Sequence, residues 1–384
     1  MKKAIFLAVL ITAILFAGCQ KKEAAPAAPA AAKFKVGIVF DVGGKGDKSF
    51  NDSAYNGLKM IAETYKGFIK DDPDNVKFGT EIELKYLEPK QGGQDREQLL
   101  RVLSEEGYNL IFGVGFMFTD SIAKVAKDFP KVHYALIDGF VPDLTEASNI
   151  TCLSFAADQG SFLVGALSGL IVADKPKAKV GFIGGMDMPL IHNFQAGFVA
   201  GAAYINPNLR KAGMILGQYI GKDGGAFNDP KTAAAIASTM YKGGAEVIYH
   251  AAGGSGTGLF ETAKAEGKLA IGVDSDQGFG YATNDKDAAA KEIGKFIISS
   301  MLKRVDQSVY LVSKDLIEGG KVKGGYRAFT LADNGVGYAA NAYNKDQLAP
   351  YAAKLDELKG KIVSGEIKVP ADDAQAAEFV KGLK

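Results

Sequence analysis

Aspartates that close apolar runs, and phenylalanines set just past glycine-rich loops, are the groups in this chain with chemistry to offer. Asp41 follows KVGIVF, Asp274 follows LAIGV, and Asp120 ends the segment GVGFMFTD. An ionised carboxylate only accepts hydrogen bonds, so three of them imply a ligand rich in donors, such as sugar hydroxyls or the N–H groups of a purine. Phe50 lies fourteen residues beyond Val36, and Phe194 fourteen beyond Val180. Two aromatic faces at matching places would sandwich a flat heterocycle, each face contributing about 1–3 kcal/mol by stacking.

The loops around these residues narrow the ligand. Residues 41–51, DVGGKGDKSFN, carry glycines that permit close backbone approach, and Ser49 or Asn51 can cap a following helix. The stretch is no phosphate cradle: Asp47 stands before Lys48-Ser49, where a P-loop requires glycine. Two carboxylates in one loop would also repel a phosphate. Residues 253–258, GGSGTG, lack the dinucleotide spacing and offer backbone contact at Gly254 and Gly256. Residues 274–277 set Asp276 beside Asp274, and Asp120 stands where a helix begins, as a cap or as a ligand contact.

Catalysis finds little footing. His133, His192 and His250 have no partners at metal-ligand spacing. His133 and His250 lie in or beside apolar strands, as hydrogen-bonded core histidines. GGSGT lacks the second glycine of a nucleophile elbow, and no acid/base pair stands out. The expectation is a binding protein, with no cofactor and no metal.

The elements that must position these residues follow from periodicity. Apolar strand-like runs at 35–40, 82–87, 110–113, 132–137, 180–184, 214–219, 247–250 and 270–273 alternate with helical patterns. The helices fall at 53–65, 95–105, 119–128, 191–204, 230–241, 259–266 and 288–303, which predicts α/β architecture with parallel sheets. The halves repeat one another. Seven residues past Phe50 and Phe194 stand Gly57 and Gly201; NLIFGVGFMFTDSIAKVAK parallels EVIYHAAGGSGTGLFETAK; HYALID, ending at Asp138, parallels LAIGVD, ending at Asp274. Two doubly wound lobes are expected, each presenting loops at the carboxyl ends of its strands to one shared cleft. Such a hinged receptor buries its ligand on closure.

The rest of the chain sets its context. Two lysines, an apolar run over residues 4–17 and the ending Phe16-Ala17-Gly18-Cys19 have the layout of a lipoprotein signal peptide over residues 1–18, too short to span a membrane. Cleavage would leave Cys19 to carry lipid, palmitate included. Residues 19–32 are Ala/Pro-rich and suit a tether. The remaining body of about 350 residues favours two domains. We assign 33–155 plus about 279–318 to an N-lobe and 156–278 plus about 319–384 to a C-lobe, joined near 155, 278 and 319. The formal charge of +1 gives no case for nucleic acid. Cys152, within the strand-like NITCLSF, reads as a buried structural thiol.

Four motifs, VGIVFDVGGKGDKSFNDSAYNGL, GFIGGMDMPLIHNFQAGFVAG, IGVDSDQ and SMLKRVD, resemble the basic membrane protein family of bacterial lipoproteins, in its purine nucleoside receptor type. The resemblance spans about residues 35–310. It implies a type I periplasmic-binding-protein fold and delivery of nucleosides to the permease of an ABC importer. By the resemblance, Phe50 and Phe194 hold the base, and Asp41 and Asp120 read its polar edge, with Asp47 or Asn51 as helpers. Asp274 accepts from the ribose hydroxyls and Lys303 is its cationic partner. The expected protein is thus a lipid-anchored, monomeric receptor for inosine, guanosine or adenosine, facing the periplasm or the exterior. Other readings are a receptor for another flat heterocycle such as riboflavin, a surface lipoprotein that binds a macromolecule, and a nucleoside hydrolase.

Overall fold

A computed structural model describes residues 32–90, 92–284 and 287–383. The expected signal peptide, Cys19 and the tether up to residue 31 lie outside the described residues. From its amino end the body runs β1 (Phe34–Val39), α1 (Phe50–Thr64), β2 (Phe68–Ile69), β3 (Ile82–Leu87), α2 (Arg96–Glu105), β4 (Leu110–Val114), α3 (Thr119–Asp128), β5 (His133–Ile137) and β6 (Ile150–Phe155). The chain then enters a second lobe with α4 (Ala157–Ile171), β7 (Lys179–Met186), α5 (Pro189–Ile205), β8 (Ile215–Gly221), α6 (Pro230–Lys242) and β9 (Ala245–Ala251). That lobe continues through α7 (Gly256–Glu266), β10 (Leu269–Asp274), α8 (Gln277–Ala282), α9 (Ala288–Gly294) and β11 (Ile297–Lys303). It returns to the first lobe for α10 (Val305–Gly319) and β12 (Gly325–Phe329), and finishes in the second with β13 (Val336–Tyr338), α11 (Lys345–Val363) and α12 (Asp373–Gly382).

Among the described residues one sheet has the order β12-β6-β5-β4-β1-β3-β2 and the other β13-β11-β10-β9-β7-β8. The long strands pair in parallel, and β13 joins β11 antiparallel. Parallel sheets bury both faces under crossover helices, which is why β4, LIFGV, is buried at every position. In the N-lobe the pleat divides the core. Val36, Ile38 and Phe40 pack with Leu58 of α1 and Val309 of α10, while Val39, Ile111 and Leu136 pack with Leu103 of α2 and Ile122 of α3.

The internal repeat survives in three dimensions. β1 and β7 hold equivalent places, β1 between β4 and β3 and β7 between β9 and β8, and the two landmark glycines let helices meet closely. A Cβ at Gly57 would come within 2.7 Å of Val309 on α10, and one at Gly201 would overlap the Phe162 carbonyl on α4.

The lobe boundaries differ from expectation. The apolar run 288–303 is not one helix: α9 stops at Gly294, and IISSMLK forms β11 beside β10 in the C-lobe. A short apolar run has no decisive period, and here the β-branched Ile297 and Ile298 suit a strand buried on both faces. Conversely, β12 pairs with β6 from Gly325↔Thr151 to Phe329↔Phe155, which puts 305–329 in the N-lobe. The chain crosses after Phe155, Lys303 and Phe329 rather than near 278 and 319. The Phe155 and Phe329 rings stack at 5.2 Å, tying two of the crossings together. No helix among the described residues is long and apolar enough to cross a membrane.

Candidate functional site

The strand ends of both sheets line one cleft, of about 650 Å³ including its mouth. Its walls include Asp41, Asp47, Phe50, Asn51, Phe194, Gly254, Asp274 and Lys303, eight of the eleven residues singled out in the sequence. Such a position, outside the carboxyl ends of parallel strands, is where open α/β sheets hold ligands.

The loop from β1 to α1 is stapled by its own side chains. Asp47 accepts from the backbone N–H of Ser49 at 2.8 Å, Asn51 at 2.9 Å and Asp52 at 3.1 Å, and from Asn51 Nδ2 at 2.9 Å. Asn51 Oδ1 in turn accepts from Asp41 N–H at 2.9 Å. Asp47 therefore serves mainly as a helix cap, and burial, with Asp52 close by, pushes it up to about 7. Asp41 keeps a different posture. Val42 N–H (2.7 Å) and Arg96 Nη2 both donate to its Oδ1, while Oδ2 lies against Gly115. Gly115 adopts φ +117°, and a Cβ there would crowd Oδ2 at 2.5 Å. Burial raises the Asp41 pKa, and the Arg96 hydrogen bond and charge oppose the rise.

A second charged cluster forms where the repeat ends its strands. Asp138 after β5 and Asp274 at the end of β10 take φ +61° and +64°, a left-handed conformation that aspartate tolerates better than most side chains. Both turn toward Lys303 at the end of β11, which is 3% exposed. Lys303 bonds Asp138 Oδ2, and its charge acts on Asp274, whose pKa burial raises while Lys303 and the Ser49 hydroxyl oppose. The ammonium also sits 4.6 Å from the Phe50 ring centre, 5.2 Å from Phe155 and 5.6 Å from Phe194. One hinge lysine thus joins a carboxylate from each lobe and both rings of the expected aromatic pair.

The lobes touch directly across the cleft. Ser49 Oγ donates to Asp274 Oδ2 at 2.6 Å, and Ser275 Oγ donates to the Ser49 carbonyl at 2.9 Å. Lys48 lies 4.3 Å from the Tyr281 ring centre. These contacts define a closed arrangement.

Three expected site residues fall elsewhere. Asp120 is exposed in the first turn of α3, because the 3-10 turn Phe116–Phe118 intervenes and presents Phe116 and Met117 to the cleft instead. Its charge suits the helix N-terminus. Gly256 packs beneath His250, whose ring a Cβ would overlap. Asp276 caps α8, accepting from Phe279 N–H at 3.1 Å and from Asn341 Nδ2 at 2.8 Å. Sequence reasoning passed over Asp138, Met117 and Phe227 in the cleft wall. The pairing of HYALID with LAIGVD was the available signal for Asp138, whereas Phe227 comes from a 3-10 turn, Gly224–Asn228, with no counterpart in the repeat.

The remaining sequence candidates are structural. His133 Nε2 bonds Thr151 Oγ1 at 2.7 Å and His250 Nε2 bonds Gln277 Oε1 at 3.0 Å, and burial pushes both histidines down to about 4. Cys152 is a buried free thiol.

Known proteins resemble this chain over most of its length. Residues 34–373 match the family described as ABC transporter substrate-binding protein PnrA-like. The "CD4+ T-cell-stimulating antigen" of Listeria monocytogenes is 34% identical over 353 residues, covering 88% of each chain. The "ABC transporter nucleoside-binding protein BmpA" of Lactococcus lactis is 30% identical over 370 residues, covering 94% of this chain and 97% of that protein. Among solved structures, an ABC transporter solute-binding protein from Aeropyrum pernix K1 superposes with a TM-score of 0.71 at 28% identity, covering 91% of this chain and 97% of that one. The family's description is that of the substrate-binding component of an ABC transporter, a role of binding rather than catalysis. The chain belongs to the PnrA-like family of ABC transporter substrate-binding proteins.

Proposed function

We propose that this protein captures a purine nucleoside between its lobes and presents it to an ABC permease while lipid on Cys19 holds it at the outer side of a bacterial membrane. The observation that carries the reading is the convergence of Phe50, Phe194, Asp138, Asp274 and Lys303 on one cleft whose N-lobe wall also carries Asp41. Phe50 and Phe194 stack on the base. Asp41 accepts from an N–H of its edge. At the hinge, each ribose hydroxyl donates to Asp138 or Asp274 and accepts from Lys303, so a vicinal diol satisfies both signs of charge. Asp47 and Asn51 shape the loop and Gly254 lets the backbone close in. The carboxylates disfavour a nucleotide, whose phosphate they would repel. The name of the Lactococcus lactis relative supports the same cargo.

The test is calorimetry on residues 33–384, refolded to strip carried ligand, with inosine, guanosine, adenosine, cytidine, ribose, riboflavin and AMP. One-to-one binding of purine nucleosides, with ribose silent and AMP at least tenfold weaker, is the expected result. Riboflavin binding alone would change the cargo, and silence throughout would overturn the receptor reading in favour of a macromolecular partner. Labelled palmitate should enter the full chain and not Cys19→Ala, which should leave the membrane fraction.

A further inference from the structure

Arg96 does not line the cleft, yet it touches two residues that do. It opens α2, and its guanidinium lies 5.5 Å from the Phe118 ring centre. Nη1 donates to the Gly93 carbonyl at 2.9 Å, while Nη2 reaches both Asp41 Oδ1 and Met117 Sδ, the latter at 3.4 Å. The arrangement does not satisfy the guanidinium itself: Nε is buried without a partner among the described residues. Buried orphan donors are rare, so a side chain held this way is placed for what its other end does.

What it does is divide the Asp41 carboxylate. Among the described residues, the hydrogen bonds to that carboxylate fall on Oδ1, leaving Oδ2 at the Gly115 side of the cleft. We propose that Arg96 is a positioning residue that makes Asp41 a fixed, ionised, one-oxygen acceptor, and that this acceptor selects ligands bearing an N–H donor on the edge of their ring. The inference rests on the nucleoside reading given above and deepens it. It predicts that inosine, with a donor at N1, and adenosine, with its amino group, are held, whereas a purine riboside unsubstituted at C6 is discriminated against.

The groups around Asp41 leave Arg96 as its charge partner. α1 presents the neutral Asn51, and the turn after β4 presents Met117 and Phe116. Asp47, in the same loop, is engaged by backbone N–H groups, and Glu88 lies over Gly44. Lys45 turns away to Asp74 at 2.7 Å and Asp72 at 3.3 Å. Removing Arg96 therefore leaves the buried Asp41 carboxylate without the charge that opposes its protonation.

The experiment measures the dissociation constants of inosine and unsubstituted purine riboside across pH for wild type, Arg96→Met and Arg96→Lys, with melting curves to confirm folding. Wild type should prefer inosine by about tenfold or more, the loss expected when a hydrogen bond to a charged group is missing. In Arg96→Met the ratio should collapse toward one, and inosine affinity should begin to fall on acidification at a higher pH than in wild type. Arg96→Lys, keeping the charge, should restore part of both. Equal weakening of the two ligands with an unmoved pH profile would assign Arg96 a merely structural part and overturn the inference. Wild type binding neither nucleoside would instead overturn the nucleoside reading, and this inference with it.

Discussion

From the N-lobe the cleft receives Asp41, Asp47, Asn51 and Asp138 together with Phe50, Phe116 and Met117; from the C-lobe it receives Leu190, Ile191, Phe194, Phe227, Ala251 and Val273, with Asp274 and Lys303 at the hinge end. The contrast is sharpest at equivalent loops. After β1 the chain folds Asp41, Asp47 and Asn51 into a hydrogen-bonded staple across the start of α1. After β7 it enters α5 through Met188 and Pro189 with no side-chain cap, and the first two turns deliver Leu190, Ile191 and Phe194. Repetition of a fold copied the scaffold and the strand-end aspartates, whereas these two loops parted: a hydrogen-bonded polar staple follows β1, and the turn after β7 gives the cleft apolar side chains.

The two lobes depend on each other most at the hinge. Lys303→Met would leave Asp138 and Asp274 buried without their cation, and urea unfolding should show a loss of about 3–5 kcal/mol together with loss of nucleoside binding. A variant that unfolds like wild type would mean the cluster is solvated. The aromatic pair comes next, because the two rings are embedded differently: Phe194 is 3% exposed within the C-lobe core, while Phe50 is only partly buried. Phe194→Ala should lower the melting temperature and weaken binding, its core cost being about 3–5 kcal/mol. Phe50→Ala should act mainly on affinity, by about 1–3 kcal/mol. Equal melting losses in the two would erase the division of labour. Ser49→Ala removes one cross-lobe hydrogen bond, and calorimetry should show the dissociation constant rising about tenfold with little change in thermal stability.

Smaller effects sharpen the picture outside the cleft. His192 bonds Asp187 at 2.7 Å and also Asp373, which ties α5 to α12. Burial works against its charge, but Asp373 and Asp187 outweigh it and raise its pKa. A histidine raised in the folded state contributes stability that is complete below its ordinary value near 6.5 and fades as pH rises through the raised one. The melting-temperature gap between wild type and His192→Gln should therefore shrink as the solution is made alkaline; a gap independent of pH would show that the imidazole acts only by packing against Tyr219, whose ring centre lies 4.9 Å away. Asp120→Asn should leave affinity within about twofold, since an exposed helix-terminal charge contributes only about 0.3–1 kcal/mol to its helix. A tenfold loss would return Asp120 to the cleft.

Much of this was legible in the chain because the repeat made it so. Equal spacing from Val36 and Val180 located Phe50 and Phe194, and α/β alternation predicted both sheets. The same repeat paired Asp138 with Asp274, and weighing both would have found the hinge cluster. Other features have no local signature. Arg96 reaches Asp41 from 55 residues away, and its partnership depends on α2 packing beside β1. Asp120 stands at a helix start as its sequence suggests, but one turn of 3-10 helix before α3 turns it from the cleft, a distinction that hydrophobic pattern does not carry. β11 was hidden because a seven-residue apolar run after a short helix reads as that helix prolonged.

The late return of β12 to the first sheet has a consequence for how the protein is made. β6, the strand it covers, ends at Phe155, and β12 ends at Phe329. At about 5–20 residues per second, the roughly 170 residues between them take a ribosome on the order of ten to thirty seconds. Throughout that interval β6 offers an open row of backbone donors and acceptors, the template on which chains pair wrongly. A nascent chain of this topology needs its vacant edge shielded, and a polypeptide truncated anywhere before residue 325 never closes it.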